Sequence, residues 1–228
     1  MNLRHRVAAT TAAAALAASG LAFAGAAGAA SATTSTAATA KAASGTTSLA
    51  AVLTKGGVAF DKNWHDYDIV TAAVLAVLKA KPSSKVAVLT KGDVALTAFI
   101  PNDRAFQLLV KSLTGKTLKS ERAVFGAVAS LGIPTVEKVL LYHVVPGATI
   151  TSAQAVKANG AVLKTALGST IRVAVYRGPV ISLWDKDRNA RNPRVILSQV
   201  DINKGNVQIA HGIDRVLRPI DLPPLARR

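Results

Sequence analysis

Two hydrophobic periods divide this chain, and their order restricts the folds open to it. In DYDIVTAAVLAVLKA (66–80), Ile69, Val70, Ala73, Val74, Val77 and Leu78 recur at the spacing of one helical face. Asp66 or Asp68 can cap its start, and Lys79, Lys81 and Pro82 close its end. VALTAFI (94–100) is β-branched and aromatic and predicts a buried strand ended by Pro101. Asn102 or Asp103 then caps a helix burying Ala105, Phe106, Leu109, Val110 and Leu113. Two more helical stretches, 120–131 and 135–142, are separated by Gly132 and Pro134. After a short helix over 152–158 the pattern changes to strands at 161–166, 170–176, 179–184, 194–200, 206–210 and 213–218. Helices gathered first and strands after them predict an α+β fold and exclude alternating βαβ units. No internal repeat is visible.

The ends of the chain read differently. Arg4, His5 and Arg6 precede an uncharged apolar stretch and three A-x-A sites, ending at Ala24, Ala29 and Ala32, so residues 1–32 read as an export signal peptide. Residues 33–48 are rich in Ala, Ser and Thr and read as a flexible tether. The absence of cysteine excludes disulfides, thiolate metal sites, a Cys nucleophile and a lipidated Cys anchor. Later segments are too short or too polar to span a bilayer. The expected location is therefore outside the cell, secreted or held in the cell wall. Loss of Arg4 and Arg6 with the leader lowers the net charge from +16 to +14, which favours polyanions such as anionic wall polymers. Aromatic residues make up only 4 % and no nucleic-acid-binding motif is present, so a dedicated nucleic-acid partner is not expected.

Candidate sites are few. In VLLYHVVPG (139–147), His143 continues the buried stripe of Val136, Val139 and Leu140, whereas Tyr142 sits about 100° round, at the edge of that face. This makes His143 a buried structural histidine and Tyr142 a side chain with its hydroxyl at the rim, open to contact. Asp185, Asp187 and Asn189 have calcium-loop spacing, but Ala190 and Ile196 stand where Gly and Glu are required. Trp64-His65-Asp66-Tyr67-Asp68 offers a histidine and two carboxylates but no distant third ligand, so no metal or other cofactor is expected. No G-x-S-x-G, H-E-x-x-H or phosphate-cradling loop is present, and Glu121 and Glu137, the only glutamates, lie in predicted helices. A catalytic role is not expected.

Three segments in order resemble the fasciclin domain, an extracellular adhesion module. LTAFIPNDRAF (96–106), with Pro101 and Phe106, resembles its first hallmark, and VLLYHVVPG its Tyr-His motif. VQIAHGIDRVLRP (207–219), with His211 and Asp214, resembles its closing hallmark. Together with the alanine-rich leader, they make the chain similar to secreted fasciclin proteins of high-GC Gram-positive bacteria. The resemblance implies one fasciclin-like domain over 49–221 with a tail at 222–228, and a β-sandwich or wedge with helices packed on one side. It also implies a non-enzymatic binding module for cell adhesion, whose partner is a cell-surface or matrix protein. Asp201-Ile202 resembles the family's Asp-Ile adhesion determinant, adding Asp201 and Ile202 to Tyr142 as contact candidates; Gly205-Asn206 reverses the usual turn order that follows. The interval from Phe106 to Tyr142 is longer than the family's, consistent with an inserted helix. Alternatives are a charge-driven polyanion binder and a small-ligand or lipid-binding domain.

Overall fold

The computed structural model describes residues 45–220; the expected leader, most of the tether and the tail lie outside them. Among the described residues, six α-helices and six strands follow in the order α1 (Leu49–Thr54), α2 (Asp68–Ala80), β1 (Leu96–Pro101), α3 (Asp103–Thr114), α4 (Glu121–Ala129), α5 (Ile133–Tyr142), β2 (Val144–Pro146), α6 (Ser152–Ala155), β3 (Val162–Lys164), β4 (Thr170–Val175), β5 (Ile181–Trp184) and β6 (Gln208–Ile213). The first sheet has the order β2-β1-β6 and the second β3-β4-β5. β1 and β6 run parallel, Leu96 opposite Gln208 through Pro101 opposite Ile213, and every residue of both is buried.

Two cores explain why both strands are buried on both faces. Leu96, Ala98 and Ile100 point into a cluster built with α1 to α5, including Leu49, Ile69, Val77, Phe106 and Val124. Phe99, Ile213 and Val145 point the other way, onto Ile171, Val173, Ile181 and Leu183 of the second sheet. The layers are thus helices, first sheet, second sheet. The fold is α+β, with helices on one side as expected.

Sequence-local chemistry sets most boundaries. The Asn102 side chain accepts the Ala105 N–H at 3.0 Å to start α3, and Gly115 ends it at φ 72°, a left-handed backbone that costs glycine little. Thr151 and Gln154 form a capping box on α6. The start of α2 differs from expectation. Neither Asp66 nor Asp68 caps it; Asp103, 34 residues on, accepts the Ile69 N–H at 2.9 Å, while Asp68 accepts the N–H groups of Ala59 and Phe60. Three expected strands are also corrected. Over 194–200 the chain makes only single bridges at Arg194 and Val195 and then a 3-10 turn, Leu197–Gln199. In place of the strands expected at 206–210 and 213–218 there is one, β6, in which Gly212 stays extended, and residues 214–218 are not strand. A Cβ on Gly212 would sit 2.4 Å from the Tyr67 hydroxyl and 2.8 Å from the Gln199 Cβ, so glycine serves close packing and not a turn.

Gln208 ties the N-terminal elements to β6. It is fully buried; its Nε2 donates to the carbonyls of Val88 and Lys91 at 2.8 and 2.7 Å, and its Oε1 accepts the Leu49 N–H at 2.8 Å. Residues 45–48, assigned to the tether by composition, join the same edge. Gly45 N–H donates to Gly205, and the Thr47 N–H donates to Asn206 Oδ1 at 2.9 Å. Replacement of Gln208 by Leu would strand two carbonyls and one N–H. The expected loss is about 3 kcal/mol or more, read by urea denaturation as a lower midpoint at unchanged slope.

Candidate functional site

The Tyr-His pair lies where α5 ends and the chain enters β2. The His143 carbonyl accepts the Phe99 N–H of β1 at 2.9 Å. Its ring is buried, with Nδ1 donating to the Val139 carbonyl at 2.7 Å and Nε2 accepting the Leu217 N–H at 2.9 Å. A carbonyl can only accept and an amide N–H can only donate, so the ring is neutral with its proton on Nδ1. Burial pushes its pKa down to about 4, against a smaller upward pull from the Val139 carbonyl. Tyr142 points into the second core, fully buried, and its hydroxyl donates to the Thr170 carbonyl at 2.9 Å. Burial, with the Asp185 charge behind it, raises that phenol's pKa.

His211, on β6, has the opposite tautomer. Its Nε2 donates to the Ile150 carbonyl at 2.8 Å, and its Nδ1 accepts the Asp201 N–H at 3.3 Å. Burial lowers its pKa, while the Ile150 carbonyl and the Asp201 charge oppose the shift. Asp201 itself has φ 55° and holds Ser152 by two bonds of 2.7 Å, Oδ1 accepting the N–H and Oδ2 the hydroxyl. Burial works against that carboxylate, but these bonds and the nearby His211 and Lys204 keep its pKa below the usual value. Ser, Asp and His therefore meet, but in the wrong order for catalysis. The serine bonds the carboxylate, and both nitrogens of the histidine are occupied, so no base faces a nucleophile.

The loop after β5 is a latch. Asp185 accepts the N–H groups of Asp187 and Arg218, and Asp187 accepts those of Asn189 and Ala190. The Arg218 guanidinium bonds Asp187 Oδ2 at 2.8 Å and Ser112 Oγ at 2.6 Å. The carboxylates that gave this loop its calcium-like spacing are committed to the protein itself. Asp214, beside it, accepts the Arg194 N–H at 2.7 Å.

The sequence profile of the Fasciclin domain matches residues 71–219. The chain belongs to the fasciclin domain family. Fasciclin domains are generally non-catalytic adhesion modules and occur in extracellular or cell-surface proteins. Among solved structures, a FAS1 domain pair from the insect cell adhesion molecule fasciclin I is similar, with 19 % identity and a TM-score of 0.46. The match covers 65 % of this chain and 46 % of that one, so the chain spans less than half of the insect structure. No curated protein matches the chain. Among the described residues no single helix is long and apolar enough to cross a membrane.

Within this fasciclin domain Tyr142 is fully buried, against the expectation of a hydroxyl at the rim, while Asp201 and Ile202 are partly buried. Tyr142 lies at the edge of the α5 stripe, as its position predicts, but the second sheet covers that edge. The Asp201 side chain is only 13 % exposed and is committed to Ser152, and Ile202 pairs with Ala210 and packs on the helical core. Pro101 closes β1 opposite Ile213, and Phe106 is buried in the helical core. Sequence reasoning missed the outer face of the second sheet. Val162, Arg172 and Trp184 stand opposite one another across its three strands, all exposed, with the Arg172 guanidinium 5.6 Å from the Trp184 ring centre. The alternation in TIRVAV (170–175), with Ile171 and Val173 buried and Arg172 between them, carries that signal.

Two outcomes follow from the tyrosine and the histidine. His143→Ala should cost more than Tyr142→Phe, since the first removes two buried hydrogen bonds and leaves a cavity, and the second removes one bond worth about 1 kcal/mol. Thermal midpoints compare them; equal midpoints would contradict the geometry. A depressed histidine pKa contributes stability that is complete above pH 6.5 and is lost as pH falls towards 4. The stability advantage of wild type over His143→Gln should therefore shrink by roughly 3 kcal/mol between pH 7 and pH 4, measured by urea unfolding at each pH.

Proposed function

We propose that this fasciclin domain is a secreted binding module of the bacterial type, retained in the cell wall by an anionic polymer that docks on the outer face of the second sheet. The charge pattern of that sheet carries the reading. Residues 138–184, which include α6 and all three of its strands, contain no Asp or Glu. Outside the Val162–Arg172–Trp184 row lies a second one, in which Lys164 pairs with Thr170 and the Lys186 ammonium reaches the Thr170 hydroxyl at 3.3 Å. Val162 is 64 % exposed, Tyr176 50 % and Trp184 41 %. Cations flanking exposed aromatic rings suit a polymer that alternates anionic groups with sugar or polyol faces: the charges attract it and the rings give it area. A hydrophobic protein interface would call for fewer lysines.

The apolar space between the two sheets does not support the small-ligand alternative. The cavity between the two sheets, lined by Phe99, Ala158, Leu183 and His211 among others, has a volume of about 30 Å³, far below the few hundred Å³ that ligand pockets need.

The test is binding of the protein to isolated cell envelopes and to heparin, an anionic polysaccharide probe, titrated from about 50 to about 500 mM salt. Binding should weaken steeply across that range. Arg172→Ala and Lys186→Ala should each reduce the salt slope, and Trp184→Ala should weaken binding at every salt concentration. Envelope binding that persists at high salt and ignores all three substitutions would reject this face and indicate a protein receptor elsewhere.

A further inference from the structure

The twelve acidic residues of this basic chain are unevenly placed. Asp61, Asp66, Asp68, Asp103 and Glu121 converge where the loop before α2 meets the first residues of α3 and α4. Carboxylate oxygens of Asp61, Asp66 and Glu121 lie within 4.8 Å of one another, and so do those of Asp66, Asp68 and Asp103. Among the described residues the ion pairs formed by other acids, such as Asp187 with Arg218, have no counterpart at these five.

Structural duties account for part of the cluster only. Asp103 Oδ1 caps α2, and Asp68 Oδ2 holds the Ala59–Phe60 backbone. Those bonds leave both oxygens of Glu121 buried with no hydrogen-bond partner, and leave Asp103 Oδ2 and Asp66 Oδ1 buried with no donor unless the two carboxyls share a proton. Asp103 and Glu121 are themselves fully buried. Burying even one unpaired carboxylate is costly, and bringing several together multiplies the cost unless they hold protons or something positive sits among them. The strain registers in their acidities. Burial first, and then the Asp66 carboxyl, pushes Asp103 up to about 8; burial, and then Asp66, Asp61 and Asp68, pushes Glu121 up to about 7.

We propose that these carboxylates form a Ca²⁺ site centred on Asp66, which belongs to both triads, with Asp61 and Glu121 on one side of it and Asp68 and Asp103 on the other. The donors are all carboxylate oxygens, with no imidazole or thiolate, which selects a hard cation. A set rich in carboxylates suits Ca²⁺, which takes about six to eight oxygens in a flexible shell, better than Mg²⁺, which keeps several waters and is usually held by one or two carboxylates. The way in is open, since Asp61, Asp66 and Asp68 also line a cleft of about 520 Å³ with Tyr67 and Gln199. The Asp66-Tyr67-Asp68 segment lacked a distant partner in the sequence; the fold supplies Asp103 and Glu121. Bound Ca²⁺ would cross-link the first residues of α3 and α4 to the loop that enters α2.

The protein, freed of metal with EDTA, is titrated with CaCl₂ and separately with MgCl₂ at pH 8.5, followed by calorimetry and by thermal melting. A net charge of +16 disfavours general cation uptake, so a saturable response reports a local site. Ca²⁺ at tenfold above its dissociation constant should raise the melting temperature by about 4 °C. Glu121→Gln and Asp103→Asn should weaken Ca²⁺ binding at least about tenfold, yet melt in EDTA no lower than wild type. Each removes a crowded charge, and in Asp103→Asn the side-chain amide oxygen still accepts the Ile69 N–H. Asp93→Asn, an exposed acid outside the cluster, should bind like wild type. The absence of any Ca²⁺ heat or melting shift overturns the proposal, as does a shift of equal size in wild type and Glu121→Gln. An equal Mg²⁺ response overturns the choice of calcium.

Discussion

The parallel pairing of β1 with β6 is the constraint from which the rest of the domain follows. The two strands are more than 100 residues apart in sequence, and each alternates its side chains between two separate cores. A parallel pair needs a long crossover, and here the crossover contains α3 to α6 and the whole second sheet. The hallmark residues guard this junction. His143 connects the end of α5 to β1 and to Leu217 just beyond β6; His211 connects β6 to Ile150; Gln208 connects β6 to α1. Their nitrogens and oxygens are fully used by backbone groups, so the fasciclin motifs of this chain are joints of the fold and not its reactive surface.

Charge is divided between regions with different tasks. Five carboxylates gather around the starts of α2, α3 and α4, while the second sheet presents cations and aromatic rings without a single acid between residues 138 and 184. On the two proposals made above, this division would let one small domain carry a local negative site and still attract polyanions. It also separates the two proposed binding chemistries, so that each can be removed by substitution without touching the other.

Much of the fold is legible in the sequence. The helical faces of α2, α3 and α5 are written at i, i+3 and i+4, and Pro101 with Asn102 marks the passage from β1 to α3. The errors have physical causes. His211-Gly212 looks like a break because glycine usually signals a turn, whereas the reason for this glycine, the approach of Tyr67 and Gln199, comes from distant segments. Asp66, Asp68 and Asp103 look alike as helix-start residues, and only the assembled structure shows one carboxylate capping another element's helix. Tyr142 illustrates the limit of periodicity. It places the ring at the edge of a helical face but cannot say that a sheet formed from residues 162–184 covers that edge.

The clasp between residues 45–49 and 205–208 would have a mechanical meaning if the protein is held at a surface as proposed. Gly45 exchanges backbone bonds with Gly205 and Val207, Thr47 bonds Asn206, and Leu49 bonds Gln208. A pulling force that arrives through the chain preceding Gly45 is therefore delivered straight to β6, bypassing the helices. There the hydrogen bonds of Gly45, Thr47 and Leu49 to residues 205–208 are the first to bear it.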